Sequence, residues 1–256
     1  MESSIIRVYL AGRLSIEAAG TLIGPDQFPG QQGRIAFAYL TLERGRPVTR
    51  AELAEALWRD ELPGAWESAL SSIISKLRSL VARPMLRGSV TLTSARGYYE
   101  LRLPGSAWVD VEAAADAIHD AEAALRAGEP RGAYGASAVA HHISRRPFLP
   151  GEQGAWIEAR RDRMRGILLR ALEARTEVYM WNKEYSLALQ NAKDLIALEP
   201  FRESGHRLVM RALAAMGNSA EALKAYEHCR NLIATELGVD PSPQTKATYE
   251  SLLQSL

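Results

Sequence analysis

One cysteine, Cys229, stands in 256 residues, with no second thiol to close an intramolecular disulfide or complete a paired-cysteine metal or redox motif. That excludes a disulfide scaffold and leads to the expectation of a reducing compartment, the cytoplasm. No run of about 18 apolar residues is present, so no membrane helix is expected. The first ten residues hold one basic side chain, Arg7, and no small-residue cleavage pattern, so no export signal is expected either. An excess of one charge is also missing. The 31 Lys plus Arg meet 30 Asp plus Glu for a formal net charge of +1, which excludes a uniformly basic coat and an acidic disordered tail. Nor is there a Gly-x-x-x-x-Gly-Lys-Ser/Thr loop, a Gly-x-Gly-x-x-Gly turn after a strand, a Gly-x-Ser-x-Gly elbow or a His-Glu-x-x-His helix. Neither an enzyme nor a cofactor is expected.

What is present is a chain that is 47% hydrophobic and long enough for two cores. The first hundred residues hold most of the strand-like sequence. Ile5 to Leu10 is a β-branched and aromatic run, continued by Leu14 and Ile16 after Gly12. From Gly33 the period becomes helical through Ile35, Phe37, Ala38, Leu40 and Leu42, and Gly45 with Pro47 ends it. Thr49 with Glu52 three residues later forms a capping box for a short helix that carries Leu53, Ala54 and Leu57 and stops near Trp58. A loop over 60–64 follows. Then Leu70, Ile73, Ile74, Leu77, Leu80 and Val81 make one stripe of an amphipathic helix over 65–82. On its opposite face lie Ser68, Ser72, Ser75 and Ser79, flanked by Ser71 and Arg78 on one side and Lys76 on the other. Val90 to Thr93 and Tyr98 to Leu103 then alternate as a hairpin with Arg96 near its tip. Sheet, three helices and hairpin are the element order of a winged helix-turn-helix with an extra N-terminal sheet.

From Val109 onward nearly everything reads as helix, in seven segments separated by short Gly, Pro or Asn breaks. Ala188, Leu189 and Leu198 recur as Ala222, Leu223 and Leu232, a 34-residue shift that is the tetratricopeptide period. The expected fold is therefore mainly α with a small β component: a winged helix over 1–104, then an all-α tetratricopeptide-like solenoid over 108–256.

These residues resemble a known family, the actinobacterial antibiotic regulatory proteins or SARP-type regulators. In the first domain the likeness rests on Gly45-Arg46-Pro47-Val48-Thr49-Arg50-Ala51-Glu52-Leu53, on Ala56-Leu57-Trp58, on Ile74-Ser75-Lys76-Leu77-Arg78 and on Gly97-Tyr98, which are similar to an OmpR-type winged helix. In the second it rests on Trp156-Ile157-Glu158, on Leu198-Glu199-Pro200 and on Glu236-Leu237-Gly238-Val239-Asp240-Pro241-Ser242-Pro243, which look like a bacterial transcriptional activation domain. The resemblance implies a sequence-specific activator that binds directly repeated promoter sites on double-stranded DNA, self-associates there and contacts RNA polymerase holoenzyme, with a secondary-metabolite gene cluster as its natural target. Two departures are visible. The first helix opens on Gln31-Gln32-Gly33-Arg34, and the third carries serine where relatives often have Asn, Gln or Arg.

Charge agrees with the division of labour. Residues 1–105 hold 13 Lys plus Arg and 10 Asp plus Glu, a net of +3, against 18 and 20, a net of −2, in the remainder. Between Ser68 and Gly105, Lys76, Arg78, Arg83, Arg87, Arg96 and Arg102 face a single acid, Glu100. Phosphate contacts, which release counterions, belong there. In winged-helix docking the face opposite the apolar stripe meets base edges. The serines Ser68, Ser71, Ser72, Ser75 and Ser79 are therefore expected at the bases, with Lys76, Arg78 and Arg50 on phosphates and Arg96 at the minor groove. Serine donates or accepts, so base readout is expected to be permissive. Trp58, Trp66 and Trp156 are read as packing residues, His141-His142 as an ordinary pair without metal partners, and Cys229 as a buried thiol. A second reading stays open: a helical-repeat adaptor or ligand-sensing protein whose winged domain is not the main functional surface.

Overall fold

The computed structural model describes residues 5–58 and 62–254; the loop expected over 60–64 begins outside them. By internal contacts the chain forms two compact units, residues 1–113 with 146–164, and residues 114–145 with 165–256. The sequence reading placed a single cut near residues 104–108, whereas this contact division is discontinuous in sequence.

The first unit opens with β1 (Arg7–Tyr9), β2 (Ser15–Ala18) and β3 (Thr21–Ile23), then α1 (Gly30–Leu42), β4 (Val48–Thr49), α2 (Arg50–Trp58), α3 (Trp66–Val81), β5 (Thr91–Ala95), β6 (Tyr98–Arg102) and β7 (Trp108–Val109). The first sheet has the order β3-β2-β1-β7. Its core side chains follow the two-residue period of a strand: Ile6, Val8 and Leu10 are buried, as are Ile16 and Ile23. β7 pairs parallel to β1, with Val109 opposite Val8. That pairing was not legible in two residues at the head of a stretch read as helical.

Asp110 locks this end of the sheet. Its buried carboxylate accepts from the backbone N–H groups of Leu10 at 2.8 Å, Ala11 at 3.0 Å and Val111 at 2.8 Å. Burial nonetheless pushes its pKa above the usual carboxylate value, against the three amides that favour the charged form.

The three helices close over Phe37, Leu40, Leu53, Leu70, Ile74 and Leu77, all buried. α1 starts three residues before the expected Gly33. Gly33 itself is required there, because a Cβ would stand 2.4 Å from the Pro29 ring. Half of the expected capping box forms: the Glu52 N–H donates to Thr49 Oγ1 at 3.1 Å. The reciprocal half does not, because the Glu52 carboxylate is taken by Arg46 and by the Tyr39 hydroxyl at 2.8 Å. The Arg46 guanidinium, ahead of the other partners, holds that carboxyl down at about 2.

Residues 146–164 complete this unit. Phe148 bridges to Ala11, and Trp156 stands edge-on to Tyr39 and Phe148 while its indole N–H donates to the Ala56 carbonyl at 3.1 Å. Trp156 is thus the packing residue the sequence suggested.

The second unit draws on α4 (Asp110–Arg126), α5 (Pro130–Ser144), α6 (Ala155–Trp181), α7 (Tyr185–Leu198), α8 (Glu203–Ala215), α9 (Ser219–Leu237) and α10 (Pro243–Gln254). All seven expected helices form. Its first core is alanine-rich, with Ala121, Ala133, Ala140, Ala171 and Ala174 around Ile118 and Val178, so the helix backbones approach closely. A second core gathers Leu169, Leu172, Ala192, Leu195, Leu208 and Val209.

The 34-residue repeat is real at the level of burial. Ala188 and Ala222 are buried at equivalent positions, and so are Leu195 and Cys229. Cys229 thus fills a leucine's place in the second copy, and burial pushes its thiol up to about 11. The packing of α8 against α7 depends on Gly205, where a Cβ would stand 3.1 Å from Ile196 Cγ1 and 3.3 Å from the Leu195 side chain. Gly205→Leu is expected to destabilise the solenoid by about 1–3 kcal/mol through overpacking, read as a lower urea midpoint.

Candidate nucleic-acid interface

α3 presents the face the sequence described. Leu70, Ile74, Leu77, Leu80 and Val81 are buried and Ile73 partly so, while Ser68, Ser71, Ser72, Ser75, Lys76, Arg78 and Ser79 are exposed. The serines are not equivalent. Ser68, Ser71 and Ser79 return their hydroxyls to the carbonyls of Ala65, Glu67 and Ser75, the local back-bonding serine makes in helices. Each retains acceptor capacity with its donor engaged. Ser72 and Ser75, in the middle of the face, are exposed, and among the described residues their hydroxyls have no partner, so they can donate or accept.

β5 and β6 form the hairpin, with Ala95 opposite Tyr98, so Arg96 and Gly97 alone make the turn. Both have positive φ, 52° and 85°, which defines a type I′ turn. Glycine takes such a backbone freely; arginine does so at a cost of about 1–2 kcal/mol. Asparagine is the favoured residue at the first position of such turns. Arg96→Asn is therefore expected to raise folding stability by up to about 1 kcal/mol, measured by urea midpoints. Lower stability would show that the arginine serves the turn itself.

The tip is held against the start of α2. β4 pairs with β6, Thr49 facing Tyr98, and the Arg50 N–H then donates to the Gly97 carbonyl at 3.1 Å. This short strand, too brief for any alternation, brings Arg50 to the wing. Between them lies a polar concavity of about 210 Å³ lined by Arg50, Ser71, Arg78, Ser94, Arg96 and Tyr98.

Arg50 Nη2 donates to the Glu67 carbonyl at 3.2 Å and to Ser71 Oγ at 3.3 Å, but its Nε is shielded from solvent without a partner. Arg78 spans from α3 to the hairpin, Nε to the Leu92 carbonyl at 3.2 Å and Nη2 to Ser94 Oγ at 2.6 Å. Three guanidinium groups thus meet, and among the described residues no carboxylate lines the concavity. Electrostatically it suits an anion with several acceptor oxygens.

Other members of the expected cationic cluster are already engaged. Arg102 forms a two-bond pair with Glu100 at 2.8 and 3.0 Å, and Arg83 donates to Gln27. Lys76 is exposed and, among the described residues, has no ion-pair partner. Sequence reading missed Ser94 and Tyr98 at this surface. Hairpin alternation carried the signal for Tyr98, because it lies opposite the inward Tyr99 and is 46% exposed.

Elsewhere, His141 Nδ1 lies 2.7 Å from Arg175 Nη1, and burial, reinforced by that cation, pulls the imidazole down to about 4. Among the described residues no group of three His, Cys, Asp or Glu side chains is placed to hold a metal ion, and no helix is long and apolar enough to cross a membrane.

A winged helix with an added N-terminal sheet, joined to a tetratricopeptide-like helical solenoid, defines the class: a two-module regulator of the SARP type. Residues 109–253 match the model of the bacterial transcriptional activator domain, and the chain belongs to that family. The regulatory protein AfsR of Streptomyces coelicolor is 32% identical over 224 residues, covering 88% of this chain and 22% of AfsR. The transcriptional regulatory protein EmbR of Mycobacterium tuberculosis is 26% identical over 260 residues, covering 96% of this chain and 62% of EmbR. The chain thus spans less than two thirds of either relative. A solved structure of EmbR in complex with a low-affinity phosphopeptide superposes with a TM-score of 0.86 at 24% identity, over 98% of this chain and 66% of that one. That likeness concerns the fold.

Proposed function

We propose that the chain is a sequence-specific DNA-binding transcriptional activator. In this reading α3 enters the major groove of directly repeated promoter sites, the β5–β6 wing lies on the neighbouring minor groove, and the helical unit contacts RNA polymerase or a second protomer. The observation that carries it is the convergence of Arg50, Arg78 and Arg96 around one polar concavity beside the exposed serine face. An anion-binding corner next to a neutral, hydroxylated helix face matches what a duplex offers, a phosphate row beside a groove of donors and acceptors. Ser72 and Ser75 then stand at the bases. Their permissive chemistry leaves much of the specificity to duplex shape and to the pairing of two half-sites. The transcriptional-regulator family and its relatives support the same role, with a biosynthetic gene cluster as the natural target.

Footprinting of the intact protein on the DNA upstream of its own gene tests this. Two protected segments in direct repeat are expected at low salt. Absence of any protection at low salt, together with pull-downs free of polymerase subunits, would favour the helical-repeat adaptor instead.

A further inference from the structure

The antiparallel strands β1, β2 and β3, with β7 beside them, bury one face of their sheet and leave the other to solvent. Val8, Ile16, Ile23 and Val109 point inward and are buried. Their neighbours in sequence point outward, and the register sets four of these side by side: Trp108 opposite Arg7, Arg7 opposite Glu17, and Glu17 opposite Leu22. A single row thus crosses all four strands in the order apolar, cation, anion, apolar.

The row is held in place yet open. Arg7 Nη1 donates to Glu17 Oε1 at 3.2 Å and the Tyr9 hydroxyl to Glu17 Oε2 at 2.9 Å, so the two charges stay at its centre with side chains 46% and 34% exposed. Tyr9 meets Trp108 edge-on, with ring centroids 5.4 Å apart. Leu22, at the far end, is 59% exposed, and so in large part is Ile5, one outward position ahead of Arg7. Tryptophan, tyrosine and arginine are the side chains that dominate contacts between proteins.

What such a face accepts follows from the order of its chemistry. A sheet packed about 10 Å away has to set apolar groups over Trp108 and Leu22, an acid over Arg7 and a base over Glu17. The same row read backwards supplies that. A two-fold axis parallel to the strands, midway between two copies and over the gap between β1 and β2, places Trp108 over Leu22 of the second copy and Arg7 over its Glu17. It also sets Tyr9 over the small Ser15, the residue opposite it in register. Each charge then has two opposite neighbours in place of one. An axis across the strands would instead stack Arg7 on Arg7 and Glu17 on Glu17. The angle of about 30° between aligned sheets divides equally about the first axis.

We propose that the outward face of this sheet is a self-complementary contact through which two copies of the chain pair about a two-fold axis. The face measures about 14 Å each way, or about 200 Å², against about 800 Å² per partner in a standard stable interface. The pair therefore forms near millimolar concentration, which is the effective concentration of molecules held on one tether. Copies on directly repeated sites are related by a shift along the duplex, which is not a two-fold, so this contact joins copies from separate sites and draws two duplex segments together. That last step rests on the proposed DNA binding; the pairing itself does not.

The test is made without DNA, so its failure leaves the DNA reading untouched. Sedimentation equilibrium of the full chain from micromolar to millimolar concentration is expected to show the average mass rising toward twice that of the monomer. Arg7→Glu and Glu17→Arg, each alone, are expected to remain monomeric where the native chain is half paired. Mixed with each other they are expected to associate, because the acid introduced at position 7 then meets the base introduced at position 17 of the other chain, while the native Glu17 and Arg7 meet as before. In the native chain, a sample mixing copies with labelled leucine methyls and deuterated copies with protonated tryptophan is expected to give NOEs from Leu22 to Trp108. Within one chain these residues end opposite sides of the row, about 14 Å apart, so the signal arises between copies, and it decides the matter even if a variant fails to fold. A native chain monomeric at every concentration, pairing indifferent to either reversal, no recovery on mixing folded variants, or no such NOE in the paired native chain would overturn the proposal.

Discussion

Replacing two cations together, as Lys76→Ala with Arg96→Asn, is expected to flatten the dependence of log affinity on log salt by about two units, with no loss of folding stability. Each phosphate neutralised by a side chain contributes close to one unit of that slope through counterion release. Lys76 is exposed and has no ion-pair partner among the described residues, so its truncation removes charge and little else. Arg96 sits in a turn that asparagine suits better. The double variant therefore separates binding from folding, which single changes elsewhere on this face do not. Arg78→Ala supplies the contrast. It should reduce the slope by about one unit, yet lower affinity by more than Lys76→Ala at every salt concentration, because it also unfastens the hairpin from α3 at the Leu92 carbonyl and Ser94. Titrations from low to physiological salt on the footprinted site measure both. An unaltered slope in the double variant would remove these side chains from the interface.

The largest effect on stability is expected at Arg161. Its guanidinium donates to the carbonyls of Phe148 at 3.0 Å, Leu149 at 2.8 Å and Glu152 at 2.8 Å, and pairs with Glu158 at 2.6 Å. Those three carbonyls belong to buried residues; the Leu149 carbonyl also accepts from the Glu152 N–H at 3.1 Å, which leaves those of Phe148 and Glu152 dependent on the arginine. Arg161→Ala leaves them without this donor, at about 1–3 kcal/mol for each one left unsatisfied, and a total of about 3 kcal/mol or more is expected. Arg161→Lys should recover only a minor part, since one ammonium does not fork across three acceptors. Urea unfolding followed through tryptophan fluorescence reports this, Trp156 lying against Phe148. A midpoint within error of the native one would show that solvent replaces the arginine at no cost.

The legibility of this fold in its sequence follows from length and period. Helices of 9 to 27 residues carry enough turns for their apolar stripes to declare themselves, and each was visible. The two-residue strands β4 and β7 have no period to read, yet one seats Arg50 beside the wing and the other pairs with β1. The placement of 146–164 was hidden for a different reason. That segment is held by Arg161 bonds to carbonyls 9 to 13 residues back, which follow no helical or strand period, and by Trp156 on Tyr39 and on the Ala56 carbonyl, contacts a hundred or more positions apart that leave no local pattern.

The candidate interface was legible as a face but not as a site. Helical spacing gave the serines and Lys76. It did not reveal that Ser68, Ser71 and Ser79 spend their donors on their own helix, or that Arg78 is tied to Ser94. The row from Trp108 to Leu22 was invisible, since only strand pairing sets those four residues side by side.

The bridge from Arg78 to the hairpin has a metrical consequence for the proposed docking. With the helix and the wing tip fastened to each other by a side chain at 2.6 Å, the protein holds its two prongs like a caliper set to one gap. A duplex accommodates that gap only when the groove positions beneath the prongs keep their helical phase. One base pair inserted between them rotates the far contact by about a tenth of a turn. Binding would then register distance along the operator as strictly as it registers the bases, and a protein with so few discriminating side chains would still reject a site of the right letters and the wrong length.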